Sequence, residues 1–169
     1  MEIVVQTERL ILRKFTVDDA PFMLELLNTP TWQRFIGDRN VHSIEEAEQY
    51  LINGNIKNYS MYGFGFYLVA IKKTGDSIGM CGLVKRDSLE DVDIGFALLP
   101  QFIGKGYGFE AASATLEYAQ NILQLNKIIA IVNPENTDSI KLIKKMGLQF
   151  EKMVQLSFTD IELMLFGTN

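Results

Sequence analysis

The chain has 169 residues, 47% of them apolar and 22% charged, and a formal net charge of −5 at neutral pH. That length suits one domain able to bury its own core. The acidic balance argues against a general nucleic-acid binder, whose affinity rests on cations meeting phosphates.

In chain order, "QTERLILRKF" (6–15) alternates well enough for a strand. Thr16 with Asp19 forms a helix-capping pattern, and "DDAPFMLELLN" carries apolar residues at helical spacing. Residues 29–42, "TPTWQRFIGDRNVH", read as a loop with Pro30 and Gly37 as breakers. Ser43 and Glu46 form a second capping box, opening a helix over "IEEAEQYLING" (44–54). The period then changes to that of strands. "FGFYLVAIKK", a "TGD" turn and "SIGMCGLVKR" make a hairpin, with Cys81 placed in the core, and "VDIGFALLP" is a third strand. A glycine-rich stretch (103–108) leads into the helix "FEAASATLEYAQNIL", and "KIIAIV" is a short buried strand. "NPENTDSIKLIKKM" turns into a helix that Gly147 ends, and "LQFEKMVQL" and "IELMLF" close the chain as an antiparallel pair. Strand–helix–strand order over 92–132 requires parallel pairing there, so the fold class expected is a mixed α/β, or α+β, single domain.

No apolar run reaches the ~20 residues that span a bilayer, so no membrane association is expected. The first fifteen residues lack the pattern of a secretory leader, and a lone cysteine permits no intramolecular disulfide, so the expected setting is cytoplasmic. One histidine and one cysteine make a poor basis for a transition-metal site, and no metal is expected.

Gly104, Gly106 and Gly108 stand just before a helix. Such spacing serves either a tight turn needing positive φ, or an anion that must approach the backbone N–H groups of a helix N-terminus. A P-loop requires Gly-Lys-Ser/Thr, whereas Lys105 is followed by Gly106. A dinucleotide loop requires G-x-G-x-x-G on the first strand–helix turn, and this G-x-G-x-G comes late in the chain.

The stretch 103–108, "IGKGYG", resembles the acyl-CoA pyrophosphate loop of the GNAT superfamily of N-acetyltransferases, Gln/Arg-x-x-Gly-x-Gly/Ala. Residues 133–148, "NPENTDSIKLIKKMGL", are similar to that family's Asn-x-x-Ser/Ala…Lys-x-Gly-Phe helix, and "TERLILRKFTVDDA" (7–20) resembles the start of its RimJ/RimL-like branch. Two positions depart from the pattern: Ile103 replaces Gln or Arg, and Leu148 replaces Phe. The resemblance implies one domain over 1–169, with a mostly antiparallel sheet, a central parallel pair of strands that splay apart, and flanking helices. It implies acetyl-CoA as co-substrate and a primary amine as acceptor, either a small molecule or a protein N-terminus. A catalytically idle acyl-CoA-binding module is the alternative.

It also implies roles. Backbone N–H groups from Gly104, Lys105, Gly106, Tyr107, Gly108 and Phe109 would hold the pyrophosphate, with Glu110 structural. The strand edge at Phe96, Ala97 and Leu98 would receive the pantetheine and polarise the thioester. Asn136 would bond the pantetheine or merely cap its helix. Ile143 stands where many relatives have a tyrosine acid; Ser139 would protonate the leaving thiolate, or cap. Asp93 would be the general base, or one charge of a solvated acidic strand end with Glu90 and Asp91. Trp32, Phe35 and Asp38, with Arg34 and Arg39 nearby, would form the acceptor pocket, or a core packed with salt bridges. His42 reads as a surface residue.

Overall fold

The computed structural model describes residues 1–156 and 160–169. Its strands form one eight-stranded sheet among the described residues: β1 (Ile3–Gln6), β2 (Leu10–Lys14), β3 (Phe66–Ile71), β4 (Ser77–Val84), β5 (Val92–Leu98), β6 (Ile128–Val132), β7 (Gln149–Gln155) and β8 (Glu162–Gly167). The spatial order is β1-β2-β3-β4-β5-β6-β8-β7, antiparallel except for β5 beside β6. The closing hairpin is as expected, and β8 inserts between β6 and β7.

The parallel pair is short. β5 stays paired with β4 as far as Leu98, but meets β6 only at Val92 opposite Ile128 and Asp93 opposite Ile129. Beyond Asp93 the two strands part, as the family resemblance implied, and the β6-facing edge of β5 is left without a strand partner.

The helices are α1 (Ala20–Leu27), α2 (Pro30–Phe35), α3 (Ile44–Leu51), α4 (Lys57–Tyr62), α5 (Tyr107–Asn121) and α6 (Thr137–Lys145). Helices α1 and α3 pack over one face, where Met23, Leu26, Leu27, Ala47 and Leu51 bury against Leu68 and Met80. Helix α5 covers the other face: Ala111 and Ala112 are small enough to bring it close to β2, β3 and β4 at Leu12, Tyr67 and Ile78. Cys81 is buried there, its sulfur 3.3 Å from the Thr115 hydroxyl, and burial pushes its thiol up to about 12.

Three local readings need correction. Residues 6–15 are not one strand. Thr7 turns the chain, its hydroxyl oxygen accepting from Leu10 N–H at 3.0 Å, and a separate β1 precedes it. The 29–42 loop contains α2, because Thr29 accepts from Trp32 N–H and Pro30 occupies the first helical turn, where its missing N–H costs nothing. The helix opened by Ser43 does not stop at Gly54. It passes through a widened π turn over Ile52–Ile56 into α4 and ends at Gly63, whose φ of +78° supplies the left-handed cap. Elsewhere the caps are as expected: Thr16 and Asp19 form a reciprocal box on a short 3-10 turn (Val17–Asp19) that leads into α1.

Candidate active site

A cavity of about 1100 Å³ opens where β5 and β6 part, walled on its other side by α2, α3 and the π turn. Asp93, Phe96 and Ala97 reach it from β5, and Asn136 and Ser139 from the start of α6. Trp32, Phe35 and Asp38 reach it from α2 and the loop after it. Residues more than a hundred positions apart thus share one chamber, because the fork in the sheet faces the α2–α3 layer. Leu98 and the glycine stretch 104–109 are not among the lining residues; they continue from the end of β5 into α5. His42 is exposed and does not line the cavity.

Asp93 is not part of a solvated strand end: it is 2% exposed. One carboxylate oxygen accepts from Arg86 Nε at 3.0 Å, and the other, Oδ1, has no hydrogen-bond partner. Burial pushes its carboxyl up to about 6, although the Arg86 charge and hydrogen bond and the Ile131 backbone amide pull it back. A buried carboxyl titrating near neutrality beside a cavity suits a proton acceptor.

At α6, Asn136 is the cap. Its side-chain oxygen accepts from Ser139 N–H at 3.3 Å, so the Ser139 hydroxyl is not the capping group. Ile143, buried one turn further, also borders the cavity and offers no proton.

The acceptor cluster is both core and wall. Trp32 is 4% exposed and packs among the residues under α1 and α3, yet it lines the cavity. The Arg34 guanidinium lies over the Phe35 ring, 4.7 Å from its centroid, and Asp38 accepts from Asn40 N–H at 2.8 Å. Sequence reading missed Arg86 and Asn55. Arg86 acts through Asp93, seven residues on, which only the turn from β4 into β5 brings back alongside it. Asn55 is 5% exposed and sits in the π turn, where the sequence "INGNI" reads as the end of a helix.

Outside the cavity, Gly104 and Gly106 adopt φ of +82° and +83°, and α5 begins at Tyr107, two residues earlier than its periodicity suggests. The intrahelical bonding begins at Glu110 N–H, which reaches Gly106 C=O at 3.1 Å, so the preceding amides of the turn have no partner within the helix. Glu110 is turned back toward the β1–β2 turn. It accepts from the Thr7 hydroxyl at 2.5 Å and from Arg9 Nε at 2.7 Å. Burial alone would raise its carboxyl, but Thr7 and Arg9 hold it below the usual range. Arg9 also donates to Lys105 C=O at 3.1 Å and stacks over Tyr107, while Lys145 lies over Phe109. Cations thus gather at the mouth of α5, where the Glu110 carboxylate is paired with Arg9.

Among the described residues, no group of three or more His, Cys, Asp and Glu is arranged to hold a metal. No described helix is long and apolar enough to cross a membrane.

Residues 9–149 match the family model of the acetyltransferase (GNAT) domain. The chain is 30% identical over 151 residues to the uncharacterized N-acetyltransferase p20 of Bacillus licheniformis, covering 88% of this chain and 84% of that one. It is 23% identical over 141 residues to the spermidine N(1)-acetyltransferase of Escherichia coli K12, covering 83% and 73%. The solved structure of RimL, a ribosomal L7/L12 alpha-N-protein acetyltransferase in complex with coenzyme A, superposes with a TM-score of 0.83 at 18% identity, covering 99% of this chain and 97% of that one. That last likeness is one of fold. The family match spans β2 to the start of β7 and includes the forked strand pair and the glycine-opened helix. The chain is an N-acetyltransferase that belongs to the GNAT family.

Proposed function

We propose that the chain transfers an acetyl group from acetyl-CoA to a primary amine by direct attack, with both substrates bound together. The observation that carries this reading is Asp93 and Ser139 bordering one cavity at the point where β5 leaves β6. The residues present fit the donor. The left-handed glycines open α5 so that an anion can meet its amides beside Lys105 and Arg9. The unpaired edge of β5 at Phe96, Ala97 and Leu98 offers a strand partner to the amides of the pantetheine arm. When bound, acetyl-CoA supplies the activated thioester.

In this reading the N–H groups of residues 104–109 hold the pyrophosphate, and an amide of Ala97 or Leu98 polarises the thioester carbonyl. Asn136, already engaged through its oxygen, presents its amide N–H groups to the pantetheine. Trp32, Phe35 and Asp38 hold the acceptor. Asp93 takes a proton from the acceptor ammonium, directly or through water, to give the free amine. The C–N bond forms as the C–S bond breaks, and the Ser139 hydroxyl protonates the departing sulfur. Ser139 regains its proton from the acylated nitrogen, and Asp93 returns its own to solvent, so one proton is released per turnover. The acceptor is a small-molecule amine or a protein N-terminus; relatives named for spermidine and for a ribosomal protein support both kinds. Dependence on a CoA thioester supports a cytoplasmic setting.

The test is an acetyl-transfer screen over primary amines and amino-terminal peptides, reading free thiol and acetylated product together. We expect matched release of both with at least one amine class, and a fall of about 10²-fold or more in kcat/KM for Asp93→Asn. Binding of acetyl-CoA without transfer to any amine overturns the proposal in favour of an idle CoA-binding module.

A further inference from the structure

Among the described residues, three buried side-chain polar atoms lack any hydrogen-bond partner: Trp32 Nε1, Asn55 Nδ2 and Asp93 Oδ1. Native chains leave few such atoms, because each forfeits its hydration without compensation. All three belong to residues that line the same cavity. They are also complementary in kind. Asp93 offers an acceptor for an ammonium, whereas the Trp32 indole N–H can only donate, and so can the Asn55 amide nitrogen.

The π turn over Ile52–Ile56 is what places Asn55 here. A regular α-helix would carry residue 55 to a different angle about the axis, and such widened turns persist mostly where a function keeps them. The two donors come from separate elements, α2 and the π turn. Both polar atoms are out of contact with solvent, so meeting a substrate oxygen requires their side chains to move.

Resting on the acetyl-transfer reading above, we propose that Trp32 and Asn55 determine acceptor specificity by donating to a carbonyl oxygen of the acceptor while Asp93 faces its amine. The substrates of this site are then amines that carry a carbonyl group, such as amino-terminal peptide amides, in preference to polyamines. A polyamine brings donors only and leaves both N–H groups unpaired. The wall carries both signs: Arg34 and Arg39 line the acceptor end beside Asp38, Glu45 and Glu46, so arginines as well as carboxylates meet an incoming polyamine.

The experiment compares a dipeptide amide with an alkyl diamine of matched length, by calorimetric binding in the presence of CoA and by acetyl transfer from acetyl-CoA. For the wild type we expect the peptide amide to be favoured by about tenfold or more, since a site built to donate to an oxygen rejects analogues that lack it. Trp32→Phe removes the N–H and shrinks the indole to a single ring in the buried core, so the thermal midpoint should fall by the lost packing. The readout is therefore the ratio between the two ligands, which should drop to about threefold or less. Asn55→Asp, which exchanges the donor for a carboxylate, should swing the preference toward the diamine. A wild type with no preference, or variants that weaken both ligands equally, overturns the inference. Preferential binding without transfer leaves the inference standing and removes the acetyl-transfer reading; transfer without preference removes the inference alone.

Discussion

At the scale of single residues, Asp93, the general base of the proposed reaction, exacts a stability cost once ionised. Its carboxyl is raised by burial from an ordinary 3.8 to about 6, so the folded chain holds that proton more tightly than the unfolded chain does. The stabilising contribution is therefore complete below the ordinary value and is lost as pH rises through 6. The difference is on the order of 3 kcal/mol, from about two pKa units at ~1.4 kcal/mol each. Denaturant titrations of wild type and Asp93→Asn across pH 4 to 7 should show the wild type losing ground to the variant over that window. Activity should run the other way, with kcat/KM of the wild type rising through about pH 6 as the base ionises and the variant lacking that limb. Arg86, still partly open to solvent, moderates the cost without abolishing it.

At the scale of elements, the start of α5 depends on two backbone conformations that side chains resist. A Cβ at position 106 would meet Arg9 Nη2 at 3.2 Å, on a backbone with φ of +83°. Gly106→Val should lower unfolding stability by about 1–2 kcal/mol, the usual cost of the left-handed region, and should weaken acetyl-CoA binding by more than about tenfold in calorimetry. If stability falls and binding does not, the loop turns the chain without holding a ligand. This element was legible because glycine spacing and the helix behind it are both local signals. So were the reciprocal box at Thr16 and the hairpin around "TGD"; at Ser43 the hydroxyl caps Glu46 N–H, but the Glu46 carboxylate meets that hydroxyl instead of closing the box on the Ser43 N–H. Pro30 and Gly54 misled for a common reason. Each residue type either starts or ends a helix, and the choice is made by tertiary contacts: burial of Trp32 on α2, and of Leu51 and Asn55 on either side of Gly54.

At the scale of the whole molecule, the two substrates are expected at opposite ends of the β5 edge, and binding is linked to folding. Acetyl-CoA at a hundredfold excess over its Kd should add about 2.7 kcal/mol. For a chain of this size that is a rise of roughly 5–10 °C in thermal midpoint, measurable by calorimetry. From β3 onward the order of strands and helices could be read along the chain, whereas β1, α2 and α4 could not, and the parallel pairing of β5 and β6 followed from the intervening helix. The insertion of β8 between β6 and β7 and the chamber at the fork could not be read, because they arise from side chains far apart in sequence meeting across the sheet. Asp93 was legible as a candidate by position, whereas its partner Arg86 and its depth were not.

The fork also has a mechanical meaning. Strands β1 to β5 and strands β6, β8 and β7 are stitched along the sheet by two rungs, at Val92 and Asp93. One rung carries the buried carboxylate that titrates near neutrality. Pulling on β1 and β8 therefore loads those two rungs together with the apolar cluster in which Leu83 and Ile94 pack with Ala130, Val132 and Phe166. The sheet is two plates joined at one corner over a shared core, and one of the two joining residues changes charge with each proton it carries.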